Sequence, residues 1–176
     1  MTHGVVCFSH GKESGPWGTK IQALADIARA SGWAVESLDY RGMDDPQQRV
    51  DTLTSWCREQ TVPLVLAGSS MGGHVAAAAT ASVNPLGLFV VAPAFFVPGY
   101  EGLTPKVPAC PVTVVHGWHD EVIPWQNSVR FAADSHAKLI LLDGDHGLIV
   151  ALDEVCRQFT FFLESVTADV ARDAEV

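Results

Sequence analysis

Leu64-Val65-Leu66-Ala67-Gly68-Ser69-Ser70-Met71-Gly72-Gly73 runs from a short apolar stretch into an alanine-rich one through a Gly-x-Ser-x-Gly pentapeptide. The pattern reads as a strand that turns abruptly into a helix starting near Met71, with a serine on the turn. So tight a turn brings the residues two before and two after the serine close together, and only residues without a Cβ fit there comfortably. That requirement decides the register. Ser70 has Gly68 and Gly72 at those positions, whereas Ser69 has Ala67 and Met71. Ser70 is the candidate nucleophile. Taken alone, the pentapeptide is also compatible with a glycine-rich turn that binds an anion or packs tightly. The partners of a reactive serine must be sought elsewhere in the chain.

The chain of 176 residues is long enough for one domain with a substantial core, and its 48% hydrophobic and 18% charged residues suit a compact globular protein. A single domain is expected over residues 1–176. A net charge of −9 and the lack of a basic cluster argue against a nucleic-acid partner and against anionic membrane surfaces. Association into a homo-oligomer is compatible with the composition. Cys7, Cys57, Cys110 and Cys156 are scattered without a Cys-x-x-Cys pair, which favours reduced, mostly buried thiols over a disulfide framework or a zinc site. No metal or cofactor is expected. The N-terminus enters the strand-like Val5-Val6-Cys7-Phe8 almost at once, with no leader pattern and no apolar run long enough to span a bilayer. A cytoplasmic location is the expectation.

Strand-like runs alternate with amphipathic helical ones. Strands are predicted at Gly4–Ser9, Ala34–Asp39, Pro63–Gly68, Leu86–Ala92, Val112–His116 and Lys138–Asp143, and helices at about Thr19–Ser31, Asp45–Glu59, Met71–Val83, Pro124–Ala133 and Leu148–Thr167. Asp45-Pro46 is a good helix entry, a cap residue followed by proline. The alternation implies a parallel sheet with helices on both faces. The tail near 168–176 lacks apolar periodicity and is expected to fray.

In such a sheet, reacting groups belong just past the carboxyl ends of the strands. Val112–His116 runs into Gly117-Trp118-His119-Asp120, and Lys138–Asp143 runs into Gly144-Asp145-His146. Asp120 and His146 thus follow Ser70 in the order serine, acid, histidine. Imidazole can take the serine proton and return it to a leaving group, while the carboxylate fixes the tautomer and stabilises imidazolium. Among the other histidines, His3 sits near the N-terminus, His136 in a loop, and His116 inside a strand end. His119 precedes the acid without a loop able to reach Ser70. Glu121, Asp143 and Asp145 are alternative acids, and Asp143 or Asp145 could instead shape the turn that presents His146. His74, one helical turn after Ser70, reads as a packed or solvent-facing residue whose charged form the helix N-terminus disfavours.

The first strand ends in Ser9-His10-Gly11-Lys12, beside the strand that leads to Ser70. The backbone N–H groups of Lys12 and Met71 are the candidate oxyanion donors. His10 then structures the loop, and the Lys12 side chain either points to solvent or attracts an acidic substrate group.

Together, His10-Gly11, Gly68-Ser69-Ser70-Met71-Gly72, Gly117-x-x-Asp120-x-x-Ile123-Pro124 and Gly144-Asp145-His146 resemble the α/β-hydrolase superfamily, from Val5 to about Phe162. The resemblance implies a three-layer fold whose six-stranded parallel sheet has the order 2-1-3-4-5-6. Larger members insert a cap after the strand equivalent to Leu86–Ala92. Only the proline-rich Pro93–Pro111, with Phe95, Phe96, Tyr100 and Leu103, lies there, too short for a lid. An open site flanked by Trp17, Trp118, Phe95 and Phe96 is expected. A serine also departs from the cysteine of dienelactone hydrolases and the aspartate of haloalkane dehalogenases. The resemblance implies a cofactor-independent serine hydrolase, similar to small carboxylesterases, acting on a small ester or thioester. Acyl transfer, peptide cleavage and a catalytically silent binding protein remain as alternatives.

Overall fold

The computed structural model describes residues 2–99, 101–105 and 107–173, with side chains to residue 168. Six parallel strands form one sheet: β1 (Val5–Ser9), β2 (Ala34–Leu38), β3 (Leu64–Ser69), β4 (Gly87–Val91), β5 (Val112–Gly117) and β6 (Lys138–Leu142), in the order β2-β1-β3-β4-β5-β6. The helices are α1 (Thr19–Ala30), α2 (Pro46–Arg58), α3 (Met71–Ala79), α4 (Trp125–Ser135) and α5 (Leu152–Asp173). The expected fold and sheet order are the ones observed.

β1, β4 and β5 are buried along their whole length, as strands covered on both faces must be, whereas the edge strand β6 is only half-buried. Side chains alternate between two cores. Val6 and Phe8 of β1 pack with Leu24 of α1 and Phe159 of α5 on one face. Cys7 of the same strand packs with Leu53 of α2, Val75 of α3 and Phe131 of α4 on the other. All four cysteines are free thiols.

Local chemistry sets the helix ends. Asp45 accepts from Gln47 N at 3.0 Å and Pro46 opens α2, as expected of that dipeptide. α5 begins at Leu152 rather than Leu148, because Leu148 adopts a positive φ of 53° and its N–H is taken by Asp145 Oδ1 at 3.0 Å. At its other end α5 continues to Asp173, so the expected fraying from 168 does not extend through that stretch, and 174–176 lie outside the described residues. α3 stops at Ala79 rather than Val83, where Thr80 turns its hydroxyl back onto the Ala77 carbonyl at 2.7 Å. Among the described residues between β4 and β5 the chain forms a loop with one 3-10 turn at Glu101–Leu103 and no cap. Tyr100 lies outside the described residues.

Parallel pairing places the site. Ser9 at the end of β1 is in register with Gly68 of β3, which puts the His10-Gly11 turn beside Ser70. β5 and β6 are adjacent, so the loops carrying Asp120 and His146 leave neighbouring strand ends.

Candidate active site

Ser70 sits between β3 and α3 with φ 55° and ψ −123°, a conformation that costs a non-glycine residue about 1–3 kcal/mol. The surroundings enforce it. Ser70 N donates to the Val91 carbonyl at 3.0 Å, and Ser70 O accepts from Gly73 N at 3.0 Å and Ala94 N at 2.9 Å. A Cβ on Gly68 would overlap the Gly72 carbonyl, and one on Gly72 would overlap that of Ser9. The two glycines therefore let β1, β3 and α3 converge under the serine.

Ser70 Oγ lies 3.0 Å from His146 Nε2, and His146 Nδ1 lies 2.7 Å from Asp120 Oδ2. With the Nδ1 proton directed at the carboxylate, Nε2 is free to accept the serine proton. Asp120 Oδ1 accepts from the backbone N–H groups of Val122 and Ile123, both at 2.8 Å. Burial pushes the Asp120 carboxyl up, but the donors from Ile123, His146 and Val122 outweigh it and hold it below the usual carboxylate range.

The rival residues lie elsewhere. Asp143 pairs with His119 at 2.8 Å in solvent, and Asp145 shapes the turn after His146 through Leu148 N. His10 is fully buried. Its Nδ1 donates to the Gly11 carbonyl at 2.7 Å and its Nε2 accepts Tyr40 N–H at 2.9 Å, which assigns it to loop structure. Neither Lys12 N nor Met71 N donates to a protein acceptor among the described residues, so both amides are free for a ligand. The Lys12 side chain is half exposed and lies 3.9 Å from Asp44.

The expected aromatic wall needs correcting. Phe95 is fully buried and stacks on Phe131 at 4.1 Å, making it part of the core. Phe96 lies under the Arg130 guanidinium at 4.0 Å, in a groove with Thr104 and Asp134 that contains no residue of the Ser70–His146–Asp120 set. Trp17 and Trp118 are exposed, beneath Arg29 and against Trp125 respectively. Trp118 shares a pocket with Asp120, and two further pockets adjoin the residues on either side of Ser70. An apolar one of about 70 Å³ is lined by Pro46, Met71, His74, Ala94 and Val97. A second, of about 210 Å³, includes Gly11, Lys20, Ser69, Gly147 and Ile149.

Three supporting residues escape the sequence reading. Arg49, 1% exposed, donates to the carbonyls of Met43 at 2.7 Å, His10 at 3.2 Å and Gly11 at 3.4 Å. The signal was present: a single arginine falls on the inward stripe Pro46, Val50, Leu53, Cys57 of α2. Lys20 Nζ donates to the His146 carbonyl at 3.4 Å, and burial lowers its pKa. His116, fully buried, has its Nε2 2.9 Å from Asp120 Oδ2. Its position four residues before the acid, at the end of β5, is the clue.

Among the described residues, no group of three or more His, Cys, Asp or Glu could hold a metal ion, and no helix is long and apolar enough to cross a membrane. No protein-family model and no curated protein matches the chain. Among solved structures, a Xanthomonas campestris protein placed in the alpha/beta hydrolase superfamily is 33% identical, with a TM-score of 0.87, over 94% of this chain and 99% of that one. Est1E from Butyrivibrio proteoclasticus is 18% identical with a TM-score of 0.83, covering 95% of this chain and 89% of its own. Alpha/beta hydrolase domain-containing protein 10 from mouse is 20% identical with a TM-score of 0.76, covering 94% and 91%. The latter two likenesses are of fold.

Proposed function

The chain belongs to the alpha/beta hydrolase superfamily, and from that premise we propose that it hydrolyses small carboxylic esters through an acyl-enzyme on Ser70. The observation that carries this reading is the unbroken chain of contacts from Ser70 Oγ to His146 at 3.0 Å and from His146 to Asp120 at 2.7 Å. Ser70 Oγ attacks the acyl carbon as His146 Nε2 takes its proton, and Asp120 stabilises the imidazolium. The developing oxyanion accepts from Lys12 N–H and Met71 N–H, the latter at the N-terminus of α3. One such donor is worth about 3–4 kcal/mol in the transition state. His146 then protonates the departing alcohol, and water repeats the cycle on the acyl-enzyme. The apolar pocket beside Met71, about 70 Å³, is far smaller than a typical ligand site and suits a short acyl group.

The test is turnover of p-nitrophenyl acetate and butyrate, together with labelling by a fluorophosphonate probe. The intact protein should do both and Ser70→Ala neither. Ester turnover no greater than that of Ser70→Ala, with no labelling, would overturn the proposal. Acetyl and butyryl thioesters run in parallel would reassign the substrate class if they were clearly preferred.

A further inference from the structure

Two imidazoles, not one, meet the carboxylate of Asp120. Oδ2 lies 2.7 Å from His146 Nδ1 and 2.9 Å from His116 Nε2. Oδ1 is occupied by Val122 N and Ile123 N. The side chains of His116 and Asp120 are both fully buried. The surroundings of His116 determine where its proton sits. Nε2 faces the Asp120 carboxylate and the Ile123 carbonyl, 3.1 Å away. Both are acceptors only, so Nε2 must carry hydrogen. Nδ1 lies 2.7 Å from Ser128 Oγ, whose hydroxyl can donate to it. The charged and titratable groups facing this cluster are Asp120 and His146 on the ring and Lys20 on the carboxylate. Burial disfavours a second proton on His116, and the net shift is downward despite Asp120.

We propose that His116 is a positioning residue for the acid–base pair, a neutral Nε2–H donor that shares Asp120 Oδ2 with His146 and keeps that oxygen in place. The proposal rests on the reading of Ser70, His146 and Asp120 as the reacting set. Its physical logic is a division of labour between the two rings. His146 must gain and lose a proton in each half-reaction, so its hold on Oδ2 changes through the cycle. His116 does not face Ser70 and is locked from three sides, so its hold on Oδ2 is constant. Sharing the oxygen also divides its negative charge between two donors. Without His116, the carboxylate would lean harder on the His146 N–H and favour the imidazolium while losing a rotational anchor.

The experiment compares kcat, KM and the pH profile of kcat/KM on p-nitrophenyl acetate for the intact protein, His116→Leu and His116→Gln. It adds the ¹⁵N spectrum of histidine-labelled intact protein. His116→Leu should lower kcat about ten-fold, the lower bound for outer partners of a functional imidazole, with KM little changed. The acid limb of its profile should move to higher pH. His116→Gln, which keeps an N–H near the Nε2 position, should restore the limb and most of kcat. The spectrum should show His116 protonated at Nε2 and bare at Nδ1 from about pH 5 to about pH 9. An unchanged profile in folded His116→Leu would overturn the proposal. So would equal losses in both variants with an unmoved acid limb, or a His116 resonance of the Nδ1–H form. Should His116→Leu not fold, His116→Gln and the spectrum decide. An inactive intact protein would instead overturn the functional reading, and the His116 tautomer would still test how Asp120 is held.

Discussion

Arg49 Nη1 donates to the His10 carbonyl at 3.2 Å and reaches the Gly11 carbonyl at 3.4 Å. In a trans peptide the C=O and N–H point in opposite directions. Turning the Gly11 carbonyl toward Arg49 therefore turns Lys12 N–H away from Arg49, as its proposed role as an oxyanion donor requires. Arg49→Met strands the Met43 and His10 carbonyls and takes one donor from the Gly11 carbonyl, which keeps His10 Nδ1. It should destabilise the fold by about 2–4 kcal/mol and lower kcat more than it raises KM. Denaturant unfolding with steady-state kinetics checks both.

Asp120→Asn places an amide among four N–H donors. At least one of these must face the new NH₂ group. We expect kcat to fall about 10⁴-fold and stability to fall by about 1–3 kcal/mol. The carboxyl is held below its ordinary range, so its contribution to stability is complete above the unfolded value near 3.9. That contribution is lost as pH falls through the lower folded value. Acid titration of Asp120→Asn should show less loss than the intact protein in that window, measured by melting temperature against pH.

His74 is 3% exposed, and among the described residues neither ring nitrogen has a well-aligned hydrogen-bond partner. The Ala94 backbone approaches the ring without forming a well-aligned bond, and burial dominates to lower the pKa from 6.5. Unfolding lets the ring take up a proton that the folded state refuses, so this histidine favours folding fully above about 6.5 and less as pH falls below it. Burial acts in the same direction on His10 and His116. The melting temperature should decline from about pH 7 toward about pH 5. His74→Leu should flatten that decline and raise stability at neutral pH, because it removes two unpaired buried nitrogens.

Phe95 and Trp118 separate core from rim. Phe95→Ala should cost about 3–5 kcal/mol through the cavity it leaves against Phe131, with KM little changed. Trp118→Ala, at an exposed position, should leave the melting temperature within experimental error while changing KM for bulkier esters. Thermal melts and an ester series distinguish the two.

These contrasts mark where sequence is informative. The parallel sheet and the positions of Ser70, Asp120 and His146 at strand ends were legible because β/α alternation constrains them and the flanking glycines have a steric cause, whereas the strand order followed only from the resemblance to the α/β-hydrolase superfamily. Phe95 was misread as pocket because an aromatic in a loop carries no periodicity to say which way it points. Arg49 and His116 were missed for a different reason. Their roles come from long-range contacts, Arg49 to a turn 39 residues away in sequence and His116 to a carboxylate whose loop folds back over it. Composition says nothing of such contacts. The ends of α3 and α5 were set by a threonine back-bond and a left-handed leucine, details finer than apolar periodicity.

At Gly117 a Cβ would run into the Gly144 carbonyl, and Trp118 N and His119 N donate across the seam to Leu142 O at 2.9 Å and Gly144 O at 3.0 Å. The loops bearing Asp120 and His146 are thus stitched directly to each other. Asp120 and His146 keep their mutual placement through contacts made by β5, β6 and the turns that follow them. Asn127 Nδ2 joins α4 to the segment between β4 and β5 at the Phe95 carbonyl, 2.8 Å away. A loop grafted between Phe96 and Pro111 should therefore leave the contact between Asp120 and His146 in place.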